Sequence, residues 1–237
     1  TDTGYSGTAN VSSNSATLRL DTSSIGTFLG GTLAISITNG VGSFYFKDTT
    51  KGTPTITVTD AAVVLTPTSQ QETILAGVPA GTITLTPSPT SIVADGTSTS
   101  TVTSGVIRDV YGNSVENGTL ITVATDRGMI TTVDTNGTYA GIQVATVNGV
   151  ISFIVRSSTT VGTANVTAAS VQGSASGSTQ ITFIPGTPSG TITLTPSPAS
   201  IVANGTTTST VTSGVITDAY WNTVSNGTLI TVATSLG

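Results

Sequence analysis

Two short turns carry the side chains best suited to holding a cation. Asp109-Val110-Tyr111-Gly112-Asn113 and its later copy Asp218-Ala219-Tyr220-Trp221-Asn222 each place a carboxylate and a carboxamide four residues apart. Calcium asks for six to eight oxygen ligands, usually with several carboxylates among them. Each turn offers one Asp and one Asn, and no further acid follows at loop spacing. Ligand count therefore favours an Asx-capped turn between two strands over a metal site, with Asp109, Asn113, Asp218 and Asn222 as the calcium candidates. No other cofactor is expected. At the tip of the second turn, Tyr220 and Trp221 replace Tyr111 and Gly112. Such a pair can stack on a sugar ring, anchor a neighbouring subunit, or pack against an adjacent loop. Six Asn-x-Ser/Thr sequons stand at Asn10, Asn117, Asn136, Asn165, Asn204 and Asn226. Four of them read Asn-Gly-Thr, so a turn signal followed by a strand threonine generates the glycosylation motif without any need for a glycan.

Catalytic chemistry has little to work with. The chain has no His and no Cys, which excludes Ser–His and Cys–His nucleophiles, imidazole or thiolate metal sites, thioester chemistry and disulfides. Its 11 acidic residues are scattered singly, so a paired acid and base is not expected. Lys47 and Lys51 are the only lysines, and an isopeptide crosslink repeated along the chain is ruled out by their absence from 80–188. A net charge of −5 without any basic cluster argues against nucleic acid. Among 237 residues, 53 are Thr and 29 are Ser, while 7% are charged. Hydrophobic residues make up 36%, enough for packed cores, so the surface must be built from Thr, Ser, Asn and Gly.

The elements that position these turns come in copies. Gly81 to Gly128 and Gly190 to Gly237 agree at 38 of 48 positions, 109 residues apart. A weaker copy lies upstream, where Asn39-Gly40-Val41 matches Asn148-Gly149-Val150 at the same spacing. The period is that of a whole domain. It divides the chain into 1–79, the later strands of one repeat; 80–188, a complete repeat; and 189–237, the opening strands of a third. Pro-bearing junctions at Val78–Gly81 and Pro185–Ser189 read as stiff spacers.

Within the complete repeat the pattern is all-β. Apolar runs rich in Thr, Val and Ile recur every ~8–12 residues, which predicts a two-sheet sandwich. Strands are expected at Thr82–Thr86, Thr101–Ile107, Leu120–Ala124, Ile142–Val147, Val150–Val155, Thr163–Ala168 and Gln180–Ile184. Turns are expected at Asp95-Gly96, Asn117-Gly118, Asn136-Gly137 and Asn148-Gly149. Phe44 and Phe46 should face a core, with Tyr45 outward.

The run Ser91-Ile92-Val93-Ala94-Asp95-Gly96-Thr97, the Thr/Val strand after it, Asp109 to Val115 and Asn117-Gly118-Thr119 resemble bacterial immunoglobulin-like repeats of the invasin/intimin group. Ser114 and Thr223 depart from that pattern, where the family usually has Pro. The resemblance implies tandem immunoglobulin-like β-sandwich repeats of about 109 residues, stacked outside the cell. Its motifs specify the fold and say little about a ligand.

The expected function is thus that of a non-enzymatic structural or adhesive protein, a stalk or head-to-tail filament segment on a prokaryotic cell surface. Its expected partners are other repeats of the same protein, with an unspecified surface receptor or glycan, and no nucleic acid. Two alternatives are a carbohydrate- or receptor-binding module contacting through Tyr220 and Trp221, and a spacer in a larger secreted enzyme. No apolar run approaches the ~18–20 residues of a membrane-spanning helix. The partial outer repeats read either as a window cut from a longer array or as halves completed by a neighbouring subunit.

Overall fold

Alternation of Thr with Val, Ile and Ala builds strands whose two faces differ, and seventeen strands follow among the described residues. The computed structural model describes residues 4–235, so the outermost residues of the first and last expected repeats, 1–3 and 236–237, lie outside the described residues. No helix forms among the described residues.

The first group comprises β1 (Gly7–Ser13), β2 (Arg19–Asp21), β3 (Leu33–Ile37), β4 (Tyr45–Lys47), β5 (Thr55–Asp60) and β6 (Thr68–Gln71). They form a sheet ordered β3-β1-β5-β6 and a pair β2-β4. The second group comprises β7 (Leu85–Ser88), β8 (Ser91–Val93), β9 (Thr99–Ser104), β10 (Leu120–Thr125), β11 (Met129–Ile130), β12 (Ile142–Ala145), β13 (Ser152–Arg156), β14 (Gly162–Ser170) and β15 (Ser176–Ile184). Its two sheets run β12-β10-β14-β15-β8 and β11-β13-β9-β7. The third group is the pair β16 (Leu194–Ser197) and β17 (Thr210–Ser213), whose register Leu194↔Ser213 repeats Leu85↔Ser104 of β7 and β9. The first group's main sheet keeps the order of β12-β10-β14-β15, and it has no counterparts of β7, β8 and β9 among the described residues.

Along β9 the burial alternates strictly: Ser100, Val102 and Ser104 point inward and Thr99, Thr101 and Thr103 outward. On β14, Ala164, Val166 and Ala168 face the core while Thr163, Asn165 and Thr167 face solvent. Small alanines there leave room for Phe153 and Phe183, each 1% exposed. Each of these rings contributes roughly 1.5–3 kcal/mol by leaving water. In the first group, Phe44 and Phe46 pack half-buried on Ala9, Val11, Ile35 and Ile56, and Tyr45 is exposed. Asn148-Gly149 closes the hairpin Val147↔Val150 with both residues at positive φ, 52° and 76°, as a type I′ turn requires. Asn39-Gly40 does the same between Thr38 and Val41.

The opening segment departs from its expected strand. β7 begins at Leu85, not Thr82, because residues 81–83 lie along β15 instead: Ile83 N donates to Ser176 O and Ser176 N to Gly81 O. Past Pro89 the chain crosses again and β8 joins β15 in parallel. The strand expected over Thr101–Ile107 stops at Ser104, beyond which Gly105 N donates to Thr84 O and Ile107 N to Gly149 O.

Candidate functional site at the repeat junctions

Asp109 and Asn113 close a turn that also reaches out of its own repeat. Asp109 Oδ1 accepts from Tyr111 N and Asn113 N, both at 2.9 Å. Its Oδ2 accepts from Asn113 Nδ2 and, across the junction, from Gly77 N, again at 2.9 Å. Four donors fill the lone-pair directions of one carboxylate. Asn113 extends the reach: its Oδ1 accepts from Lys51 N at 2.9 Å and its Nδ2 donates to Thr49 O at 2.9 Å. The linker backbone joins in, with Ala80 N donating to Arg108 O at 2.8 Å.

The second junction repeats this set. Asp218 Oδ1 accepts from Tyr220 N and Asn222 N, and its Oδ2 from Asn222 Nδ2 and Gly186 N, all at 2.9 Å. Asn222 Oδ1 accepts from Val161 N at 3.1 Å, and Asn222 Nδ2 donates to Thr159 O at 3.0 Å. Ser189 N donates to Thr217 O at 2.9 Å. The two turns are thus clips, each binding a repeat to the linker and the loop before it. Every group they grip on the preceding repeat is backbone.

Both aspartates are buried, and burial alone would oppose their ionisation. The bonds from Asn113 Nδ2, Gly77 N, Asn113 N and Tyr111 N outweigh it and hold Asp109 below the ordinary carboxylate range. The equivalent donors hold Asp218 at about 2. The junctions differ beside the clip. Lys51 Nζ meets Glu116 Oε1 at 2.9 Å and donates to Ser114 O at 3.2 Å, while Glu116 Oε1 also accepts from Ala76 N at 3.0 Å. Val161 and Ser225 occupy the corresponding places in the second junction, so that ion pair has no counterpart there.

The four residues considered for calcium are therefore brought together as two Asp/Asn pairs with protein donors around them. Among the described residues no three acids cluster as a metal site would need. Tyr220 and Trp221 project from the second clip, 46% and 85% exposed. Of the sequons, Asn10 is half-buried on β1, Asn165 is tied on β14 to Asp126 Oδ2 at 2.7 Å, and Asn136 caps the turn at Thr138 N. Asn117, Asn204 and Asn226 lie exposed at turns. Asn204 Oδ1 accepts from Thr206 N and Thr207 N, the role Asp95 plays toward Thr97 and Ser98.

The backbone partners of the clips were not among the sequence candidates: Thr49, Lys51 and Gly77, then Thr159, Val161 and Gly186. One signal was available. Gly77 and Gly186 each precede their aspartate by 32 residues.

Residues 79–186 match the family model described as "Invasin, domain 3". No curated protein matches the sequence. Among solved structures, that of invasin, described as a bacterial integrin-binding protein, aligns over 93% of this chain with 23% identity and a TM-score of 0.51. This chain spans 41% of that protein's length in the structure. FdeC, an Escherichia coli adhesin, aligns over 91% of this chain and 64% of its own at 20% identity and a TM-score of 0.49. The D0–D1 domains of intimin align over 73% of this chain and 80% of their own at 18% identity and a TM-score of 0.34. At these identities the likeness to invasin is one of fold.

Proposed function

The chain carries a bacterial immunoglobulin-like module of the invasin/intimin type over residues 79–186, and on that premise we propose that it is a non-enzymatic, extracellular segment of a surface adhesin. Its task is mechanical: successive sandwiches form a stiff stalk that holds a binding tip away from the cell. The observation that carries this reading is the repetition of one clip at two junctions. A linker alone leaves neighbouring domains free to swing. Here each junction adds a carboxylate and a carboxamide that grip the loop and linker of the previous repeat. The stalk needs no cofactor, and its partners are other repeats of the same protein together with whatever the tip recognises.

Small-angle X-ray scattering on the 237-residue protein tests this. The expected result is a rod with a sharply defined maximum dimension, broadened in the double variant Asn113→Ala, Asn222→Ala. A wild-type profile already typical of freely jointed domains, unchanged by the double variant, would reject the stalk.

A further inference from the structure

One sequon is not accounted for by the turn that holds it. In Asn117-Gly118-Thr119, Asn204-Gly205-Thr206 and Asn226-Gly227-Thr228 the glycine stands at φ 85°, 72° and 84°, so the turn itself calls for the Asn-Gly pair. Asn136-Gly137-Thr138 does not share that need. Neither Asn136 nor Gly137 has a positive φ, and a Cβ on Gly137 would meet nothing nearer than Asp134 Oδ2 at 3.9 Å. The backbone there accepts residues other than glycine. The loop nevertheless presents the tripeptide in a fixed shape. Asp134 Oδ1 accepts from Asn136 N at 3.1 Å and from Gln143 N at 2.9 Å, and Thr135 N donates to Gln143 O at 3.0 Å, which ties the loop to β12 at its base. Asn136 Oδ1 accepts from Thr138 N at 3.0 Å. Among the described residues Asn136 Nδ2 and Thr138 Oγ1 have no hydrogen-bond partner, and Gly137 to Ala140 are exposed.

At the other sequons the fold uses these groups or encloses them. Asn165 Nδ2 donates to Asp126 Oδ2, and Thr119 Oγ1 and Thr228 Oγ1 donate to Glu116 O and Ser225 O, each at 2.7 Å. Asn10 lies in β1, paired on both sides by β3 and β5. Thr206 Oγ1 is turned onto Asn204 Oδ1 at 3.0 Å, within the cap that Asp95 forms in the middle repeat. N-glycosylation needs a reachable carboxamide nitrogen on a surface loop and a hydroxyl two residues on. We propose that Asn136 is an N-glycan acceptor, a modification site beyond the stalk function. The co-substrate is an oligosaccharide linked to a polyprenyl pyrophosphate, brought by a transferase. Asn136 Nδ2 bonds to the anomeric carbon of the first sugar as the bond from that carbon to the pyrophosphate oxygen breaks. The lipid pyrophosphate leaves with the electron pair, and the nitrogen gives one proton to a base of the transferase. A glycan there brings hydration to a chain in which only 7% of residues are charged.

Peptide mapping by mass spectrometry tests the site. A transferase that glycosylates a synthetic peptide of residues 130–142 is given its lipid-linked donor and the folded 237-residue protein. Glycan should appear on Asn136 at roughly tenfold or more the rate of any other sequon, since those in strands are reached only through local opening. Thr138→Ala removes a hydroxyl that the fold does not use, so it should abolish the modification at an unchanged melting temperature. In protein recovered from its natural source, the peptide containing Asn136 should carry the mass of a glycan. The site is overturned if the folded protein stays unmodified at Asn136, or if another sequon reacts as fast. Glycan still added at Asn136 in Thr138→Ala would overturn it too, as would a bare Asn136 in the natural protein.

Discussion

Asp109 and Asp218 are 6% and 4% exposed, yet each is held ionised by four hydrogen bonds. Removing such a carboxylate strands donors it had satisfied, and bonds to a charged group are worth more than neutral ones. Asp109→Ala should therefore destabilise the middle repeat by about 2–3 kcal/mol in urea unfolding, while Asp134→Ala, on a loop, should cost less. The sign of the pH dependence follows from the lowered values. A carboxyl whose folded value lies below its unfolded one, about 3.9, stabilises the fold above that unfolded value. The contribution is lost as pH falls through the folded value, about 2 for Asp218. The second junction should thus stay closed from pH 7 to about 4 and open toward pH 2. Amide exchange of Gly186 and Val161 across that range checks it, and opening already complete at pH 5 would count against the clip. The sequence displayed the Asp/Asn pair, and its turn character was legible. Its grip across the junction was not, because Thr49 O, Lys51 N and Gly77 N are backbone groups that leave no side-chain signature.

Element positions follow largely from patterning. β9, β10, β13, β14 and β15 fall close to their expected runs because alternating Thr and Val suit a sheet with one wet face. The short pieces were not legible. β8 and β11 span three and two residues, and their partners lie far along the chain. The opening segment strays because Gly177 lets it. A Cβ at Gly177 would collide with the carbonyl of Ile83, so β15 accepts the 81–83 segment only with glycine there. Gly177→Ala should force the two apart and destabilise the repeat by about 2 kcal/mol or more, against a small effect for Gly137→Ala, where the nearest atom is 3.9 Å away. Calorimetric melting of the two variants separates these outcomes. At the first junction Lys51→Met should loosen the clip in dilute buffer and do progressively less as salt is added, since the Lys51–Glu116 pair is partly exposed. No such salt dependence is expected at the second junction, where Val161 and Ser225 stand in its place.

Over the whole molecule the clips couple each group of strands to the one before it. A repeat bound by its neighbour melts higher than the same repeat alone, as with any partner that binds only the folded state. Asn113→Ala should accordingly uncouple the first group from the middle one and split a shared endotherm, lowering both parts because Asn113 Nδ2 also bonds the buried Asp109 of the middle repeat. A calorimetric trace that shifts as one peak would show that the coupling runs through other contacts. Because the clip grips only main-chain atoms, it makes no demand on the side chains of the repeat it holds. Val161 replaces Lys51 in the gripped loop and the bond remains. Repeats of this kind are then free to drift in sequence, and one can be duplicated or lost between two others without any junction having to be reinvented. Length becomes the most readily altered property of such a molecule, because each junction is closed by the same main-chain grip.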